Sequence, residues 1–510
     1  MFQSTNVRRL TTTENGAVSL KSSGDCNIDY FMMLTRTLSI DDHVKHLEKC
    51  WNTNPEYTVA TIFNCRDRQK GKKEKRVSNE AMLWLRKNKP KTYMQNIKTY
   101  INNYGCWKDL LYIAYQLNKS YTIDKNYELE LFALQLKDDL VSLSNNPQIQ
   151  VSLCGKWAPS ENDRNDKRKQ FAKKIATILY PKDGSNKMEK YRKEYISPLR
   201  KKINIIERLM CNNEWDKIVY EYVPGMASKK LLKAFVKHDN ERYTEYLNAV
   251  KRGDKEIKIT GLLPHDLLKY YIDNCDEGVN ETIELQWKTM LDNVRSNGVL
   301  KSAIPIVDLS GSMFSASNGD IPARVSATLG IMTSLCCKDP FYKKIITFSD
   351  VPTFVELPNE TLYDCYHAIK NVQYGLNTDL VKTCEAIINY GKENNVADEN
   401  MVDKLIIFTD MQFDEASPQV CELSTLYNII CNMFLKNQYT PPKFIFWNLN
   451  SNSGETFPVD ISVKNTAMVS GFSEQLLKIF MEYDEFNPKM IVDEILKPYL
   501  GNVFISEDER

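Results

Sequence analysis

No stretch of the 510 residues is apolar over anything near the length of about 18 that a membrane-crossing helix requires, so no membrane span is expected. The opening residues, Met1-Phe2-Gln3-Ser4-Thr5-Asn6, lack the apolar core of a signal peptide, which points to the cytoplasm or nucleus and away from secretion. Thirteen cysteines are present, yet no Cys-x-x-Cys occurs, which removes the common zinc and dithiol motifs. The adjacent pair Cys336-Cys337 is expected inside a helix, buried as small apolar side chains. Histidine is scarce, with five in all, and the nearest two, His43 and His46, lie three apart on an expected helix, where a core or solvated role is favoured over a metal role. Also missing are the Gly-x-x-x-x-Gly-Lys-[Ser/Thr] phosphate loop, His-Glu-x-x-His and Gly-x-Ser-x-Gly, so the enzyme classes built on them are not expected.

What is present is the composition of an ordinary globular protein, 42% hydrophobic and 26% charged, in a chain long enough for roughly two to four domains. The net charge of +1 conceals basic clusters in the first 210 residues and many carboxylates near the C-terminus. An anionic partner therefore stays in view.

Residues 1–25 are polar and weakly periodic and read as an extended arm. From residue 26 to 300 helical spacing dominates, at 28–38, 81–86, 107–117, 127–143, 168–179 and 196–210. Short helices joined by short turns suggest an irregular α-helical repeat array of HEAT-like kind. Three features stand out within it. Arg66-Asp67-Arg68-Gln69-Lys70-Gly71-Lys72-Lys73-Glu74-Lys75-Arg76 is a dense basic tract. Tyr104-Gly105-Cys106-Trp107-Lys108-Asp109-Leu110 joins a turn to a helix, and Lys156-Trp157-Ala158-Pro159-Ser160 precedes Arg164, Arg168 and Lys169. On their own such charge runs are usually solvated helix faces, and both tryptophans read as core anchors.

From residue 301 to 510 the pattern changes to alternating strand and helix. Apolar, β-rich runs at 303–307, 344–348, 405–409, 443–447 and 466–469 alternate with helical stretches at 321–337, 380–390, 420–435 and 473–483. Strands that are apolar throughout predict a parallel sheet covered on both faces, with ligands at the carboxyl ends of its strands. Three turns meet at that level. The first strand runs into Asp308-Leu309-Ser310-Gly311-Ser312, the turn 375–379 supplies Thr378, and the third strand ends in Thr409-Asp410. Two carboxylates with neutral hydroxyls form a hard oxygen set suited to Mg²⁺ or Mn²⁺. Asp414 would cap the next helix or support the site from outside.

The set Asp308, Ser310, Ser312, Thr378 and Asp410 resembles, in motif order and spacing, the metal-ion-dependent adhesion site of von Willebrand factor A domains. The N-terminal motifs, together with Tyr191-Arg192-Lys193, Pro198-Leu199-Arg200, Val223-Pro224 and Leu263-Pro264-His265, look like an uncharacterised family with plant, bacterial and giant-virus members. That family is related to the TROVE/Ro ribonucleoproteins. The resemblance spans nearly the whole chain and implies a TROVE-like helical module followed by a von Willebrand factor A-like α/β domain. It also implies binding of structured or single-stranded RNA, with Arg66, Arg68, Lys70, Lys72, Lys73, Lys75, Arg76, Lys156, Arg164, Arg168 and Lys169 as the candidate contacts. The Ro basic motif is richer in glycine than Gln69 to Lys73 here.

The expected function is a non-catalytic, monomeric RNA-binding scaffold, its metal recruiting an Asp or Glu of a protein partner. The alternative is a protein-interaction module that uses the metal without nucleic acid. A metal-dependent hydrolase is the third class, but Ser310 stands where a dehalogenase-type phosphotransferase places its second acid.

Overall fold

The structure, a computed structural model, describes residues 10–117, 126–161, 166, 169–182, 184, 186–314, 322–348, 352–370, 378–414, 426–451 and 455–510. A helical region extends to about residue 300 and is followed by an α/β domain with a mostly parallel six-stranded sheet. Ahead of the helices, residues expected as an extended arm form a small antiparallel hairpin of β1 (Leu10–Thr12) and β2 (Val18–Leu20). Among the described residues no helix is long and apolar enough to cross a membrane.

Consecutive helices of the first region pack as neighbours because single residues both end one helix and start the next. Asn54 closes Ile40–Thr53 and caps Pro55–Arg66, accepting from the Tyr57 amide at 3.0 Å, with Pro55 preset for the first helical turn. The helix expected at 81–86 starts earlier, as Arg76–Asn88, so the end of the basic tract is helical. Two single π-helical turns, Tyr100–Tyr104 and Tyr191–Ile196, interrupt the α-helical pattern.

The sheet comprises β3 (Ala303–Val307), β4 (Lys344–Thr347), β5 (Thr353–Glu356), β6 (Lys404–Thr409), β7 (Lys443–Asn448) and β8 (Thr466–Ser470) in the order β5-β4-β3-β6-β7-β8. All neighbours are parallel except β4 and β5. The edge strand β5 escaped the sequence reading because it is short and partly exposed. Pro305 sits in central β3 without breaking the ladder. The β3–β4 pairing begins only at Ile306, and Pro305 lies opposite Ile406 in β6 while its missing N–H is on the β4 side. The helix Pro322–Leu335 lies so close to β3 that a Cβ on Gly330 would stand 2.3 Å from Val307 Cγ2. Cys336 and Cys337, expected inside that helix, follow its end, both buried.

The helical region begins and ends against the α/β domain. At its start, Cys26–Met33 packs on β8, and Pro55–Arg66 packs on the C-terminal helix Pro488–Leu500. At its end, Pro264–Asp273 packs on Pro322–Leu335, and Glu284 accepts the amides of Leu362 and Tyr363 at 2.9 and 3.0 Å, capping the helix Leu362–Lys370. The two ends meet at Phe472, with the Arg36 guanidinium 4.3 Å from its ring centre on one side and the His265 ring edge-on at 5.5 Å on the other. The chain's last residues return as well: the Glu509 carboxylate accepts the Lys91 and Thr92 amides at 2.9 and 2.8 Å, at the start of the helix Pro90–Thr99.

The basic tract forms this junction. Lys72 is fully buried, donates to Phe31 O at 2.5 Å and Ser470 Oγ at 2.7 Å, and lies 3.7 Å from the centre of the Phe31 ring. Lys73 pairs with buried Glu474 at 2.7 Å, and Glu74 takes the Arg36 guanidinium at 3.0 Å. Burial holds the Lys72 ammonium down to a pKa of about 7 from its usual 10.5. Between those values the unfolded chain keeps a proton that the folded chain releases, so this group makes stability rise with pH across the window. Urea denaturation is expected to show that rise, at most about 1.4 kcal/mol per pH unit, and to show it flattened in Lys72→Met. Parallel pH profiles in the two proteins would contradict the assignment.

Candidate metal centre

Three chain segments build the centre. β3 ends at Val307, and the Asp308 amide is held by Phe408 O at 3.1 Å and by Ser326 Oγ at 3.0 Å. Both Asp308 oxygens are engaged: Oδ1 accepts the Ser310 amide at 2.9 Å, and Oδ2 accepts the Thr409 hydroxyl at 2.6 Å. The turn Gly311–Phe314 then brings Ser312 Oγ to 3.2 Å from Ser310 Oγ.

The second segment follows β6. Met411 adopts φ +68°, a left-handed conformation uncommon for a side-chain-bearing residue, and this folds the Gln412 amide back to Asp410 Oδ1 at 3.2 Å. The third is Thr378. Its hydroxyl donates to Gln412 O at 2.6 Å, which leaves oxygen lone pairs for another donor or a cation. Asp414 accepts the Thr378 amide at 2.7 Å and fixes that residue's backbone. Asp414 is thus a support of the site, and the helix cap expected of it falls on residues outside those described.

The N-terminal hairpin closes over this turn. Thr13 Oγ1 donates to Phe413 O at 2.6 Å, the Glu14 amide to Gln412 Oε1 at 2.7 Å, and the Asn15 amide group to Gln412 O at 2.9 Å and Thr378 Oγ1 at 3.3 Å. Nothing local in the sequence signalled these contacts. The missed supports Thr409, Ser326 and Asn15 are ordinary polar residues whose role comes from partners tens to hundreds of positions away.

Asp308 is fully buried and Asp410 is 2% exposed. Burial, and then the neighbouring Asp410 charge, push the Asp308 carboxyl above its usual 3.8, opposed by the Thr409 and Ser310 hydrogen bonds. Two neighbouring buried carboxylates, in turns that also carry hydroxyl oxygens, are a donor set that a hard divalent cation would relieve. The residues present therefore fit Mg²⁺ or Mn²⁺, and Asp308, Ser310, Ser312, Thr378 and Asp410 are those that could hold it.

The basic candidates fare differently. The tract expected to face RNA is largely turned inward, which corrects that reading for several of its members. Lys72 and Lys73 are engaged at the junction, Arg66 is buried with Nη2 2.8 Å from Asp109, and Arg76 holds Glu80 at 2.9 Å and Arg36 O at 2.7 Å. Arg68 is half-buried, while Lys70 and Lys75 are exposed, Lys75 Nζ standing 3.7 Å from Asp109. Lys156 is half-buried beside the Trp157 ring, and Lys169 donates to Tyr115 O at 3.2 Å. Arg164 and Arg168 lie outside the described residues. Of the two tryptophans, Trp107 is buried against Phe132, and Trp157 is half-buried between Lys108 and Lys156. His43 is core, bonded to Tyr30 at 2.9 Å.

Residues 13–130 and 127–300 match a family described as a domain of unknown function, DUF2828. Residues 302–497 match a second, DUF7788, which covers the whole candidate centre. A protein of Acanthamoeba polyphaga mimivirus, described as uncharacterised, is 30% identical over 528 residues, spanning 98% of this chain and 90% of the viral one.

Asp308 gives the centre a pH signature. With its carboxyl raised on folding, the protonated form contributes stability that is complete below about 3.8 and is lost as pH climbs through the raised value. In EDTA, wild type is therefore expected to lose stability relative to Asp308→Asn between about pH 4 and about pH 8, measured by chemical denaturation. A constant difference between the two proteins across that range would contradict the buried like-charge pair.

Proposed function

This chain belongs to the DUF2828 family, with a DUF7788 domain after it, and from its site we propose a non-catalytic scaffold that docks an acidic partner through a divalent cation. The observation that carries this reading is the buried Asp308–Asp410 pair at the carboxyl ends of adjacent strands, with Ser310 and Ser312 in the turn after β3 and Thr378 hydrogen-bonded to Gln412 O in the turn after β6. Mg²⁺ or Mn²⁺ held there supplies an open coordination position. Two carboxylates and neutral hydroxyls leave the ion attractive to a third carboxylate, an Asp or Glu of the partner. Phe314, 50% exposed just after Ser312, offers an apolar rim for the same partner. The likeness to the metal-ion-dependent site of von Willebrand factor A domains supports this reading. Both Asp308 oxygens are committed to hydrogen bonds, which suits a ligand better than a nucleophile.

The resemblance to the TROVE/Ro ribonucleoproteins adds RNA as a second partner, bound by the helical region. The surface supporting this is narrower than the sequence suggests, with Lys70 and Lys75 exposed and Lys156 half-buried. Such binding would rest on phosphate neutralisation and fall steeply with salt.

Mn²⁺ is expected to bind wild type and to stabilise it by about 2.7 kcal/mol at a hundredfold excess over its dissociation constant, with both effects gone in Asp308→Ala. A partner captured in Mn²⁺ should leave in EDTA; an unchanged complex would sink the docking role. The RNA role fails if micromolar protein leaves the gel mobility of labelled structured RNA unchanged at low salt. Hydrolysis of nucleotide or RNA that disappeared in Asp308→Ala would replace the scaffold with an enzyme.

A further inference from the structure

The helical region contains a cleft of about 760 Å³ that neither the metal centre nor the basic tract explains. Its walls come from the segment after Trp157 and from the helical turns between Lys187 and Cys211. Among the described residues, Arg192, Lys193, Arg200, Lys201 and Arg208 line it, with Glu161 the one carboxylate. Five cations in one concavity repel one another, and most of that charge does nothing for the fold. Arg200 is structural, donating to Gly155 O at 3.1 Å, Ser160 Oγ at 2.9 Å and Ala158 O at 2.6 Å. Lys193 pairs with Glu189 at 2.6 Å on the surface. Arg192, Lys201 and Arg208 are exposed and make no ion pair among the described residues. Like charge concentrated without internal partners raises the local concentration of an anion.

Two further features narrow the ligand. Arg192 and Ile196 belong to the π-helical turn Tyr191–Ile196, and single π turns are frequent at functional sites. Buried Tyr191 anchors that turn by donating to Pro159 O at 2.9 Å. Beside the cations lies an apolar wall of Met188, Ile196 and Pro198. The volume is that of a site for a small organic molecule, well beyond a lone phosphate. Arginine forks suit phosphate oxygens, and an apolar wall suits a flat ring.

We propose that this cleft binds a nucleoside phosphate, with Arg192, Lys201 and Arg208 holding the phosphate and the Met188–Ile196–Pro198 wall taking the base. The site shares no residue with the metal centre and stands whether or not a cation binds there. The same chemistry is offered by a free nucleotide and by the 5′-phosphate of a single-stranded RNA.

The test is fluorescence anisotropy of N-methylanthraniloyl-ATP with the full chain in EDTA, which keeps the metal centre out of the measurement. Wild type is expected to bind saturably below about 100 µM, and Arg192→Glu with Lys201→Glu to weaken binding at least about tenfold at an unchanged melting temperature. Arg208→Glu, on a different helix, should weaken it independently, while Lys230→Glu, at an exposed position of the helix Gly225–His238, should not. Absence of saturable binding, or equal weakening by Lys230→Glu, overturns the proposal. So does displacement by inorganic phosphate as effective as by ATP, since the base would then play no part. A 5′-phosphorylated oligoribonucleotide that displaces the probe better than ATP, where its 5′-hydroxyl counterpart does not, assigns the site to an RNA end; the reverse order assigns it to the free nucleotide.

Discussion

One ammonium group out of contact with water sets the terms for the whole molecule. Lys72 loses its hydration on folding, and what replaces the water is assembled from distant parts of the chain: a carbonyl and an aromatic face from Phe31, and a hydroxyl from Ser470. An unsolvated cation tolerates little error in such a cage. The helix Cys26–Met33, the loop before Arg76 and the end of β8 are therefore mutually fixed, and Lys73 with Glu474 and Arg36 with Glu74 extend the same seam. Phe472, one residue beyond Gly471, carries the fixation across to His265 at the far end of the helical region. The α/β domain is consequently the clasp of a helical segment attached to it at both ends.

That clasp bears on the metal centre. The candidate ligands follow β3 and β6, strands buried along their length, and sit on a turn held by Asp414. Its outer surface is shared with the hairpin Leu10–Leu20, whose Asn15 reaches Thr378. A candidate site braced by a buried sheet on one side and by a distant short hairpin on the other has one firm half and one whose position depends on the rest of the fold.

Much of this was legible in the residue pattern, for a physical reason. Strands buried on both faces must be apolar without alternation, so β3, β4, β6, β7 and β8 announce themselves, and the oxygen-bearing turns after β3 and β6 stand out against them. Half-exposed β5 carries no such mark. Four of the candidate ligands, Asp308, Ser310, Ser312 and Asp410, stand out in sequence because they follow the ends of β3 and β6 directly, whereas Thr378 lies ahead of the helix Leu380–Glu393. Thr409, Ser326 and Asn15 were not readable, since each is defined by a hydrogen bond across the chain. The basic tract misled for the complementary reason: a run of lysines and arginines normally means solvent, and only the positions of Phe31, Asp109, Ser470 and Glu474 in space reveal that Arg66, Lys72 and Lys73 face inward. The cleft around Arg192 was not legible as a cleft because its cations come as two adjacent pairs and a single arginine on three separate short helical segments, which only the fold brings to one concavity.

The return of the tail to the early helices has a consequence for biosynthesis. Glu509 supplies the acceptors for the first amides of the helix Pro90–Thr99, and Phe504 O takes the Asn96 side chain at 2.5 Å. Those partners leave the ribosome some four hundred residues after the helix they complete, a delay of tens of seconds at about 5–20 residues per second. Through that interval the first amides of the helix Pro90–Thr99 and the Asn96 side chain have only water in place of the partners that the tail later brings.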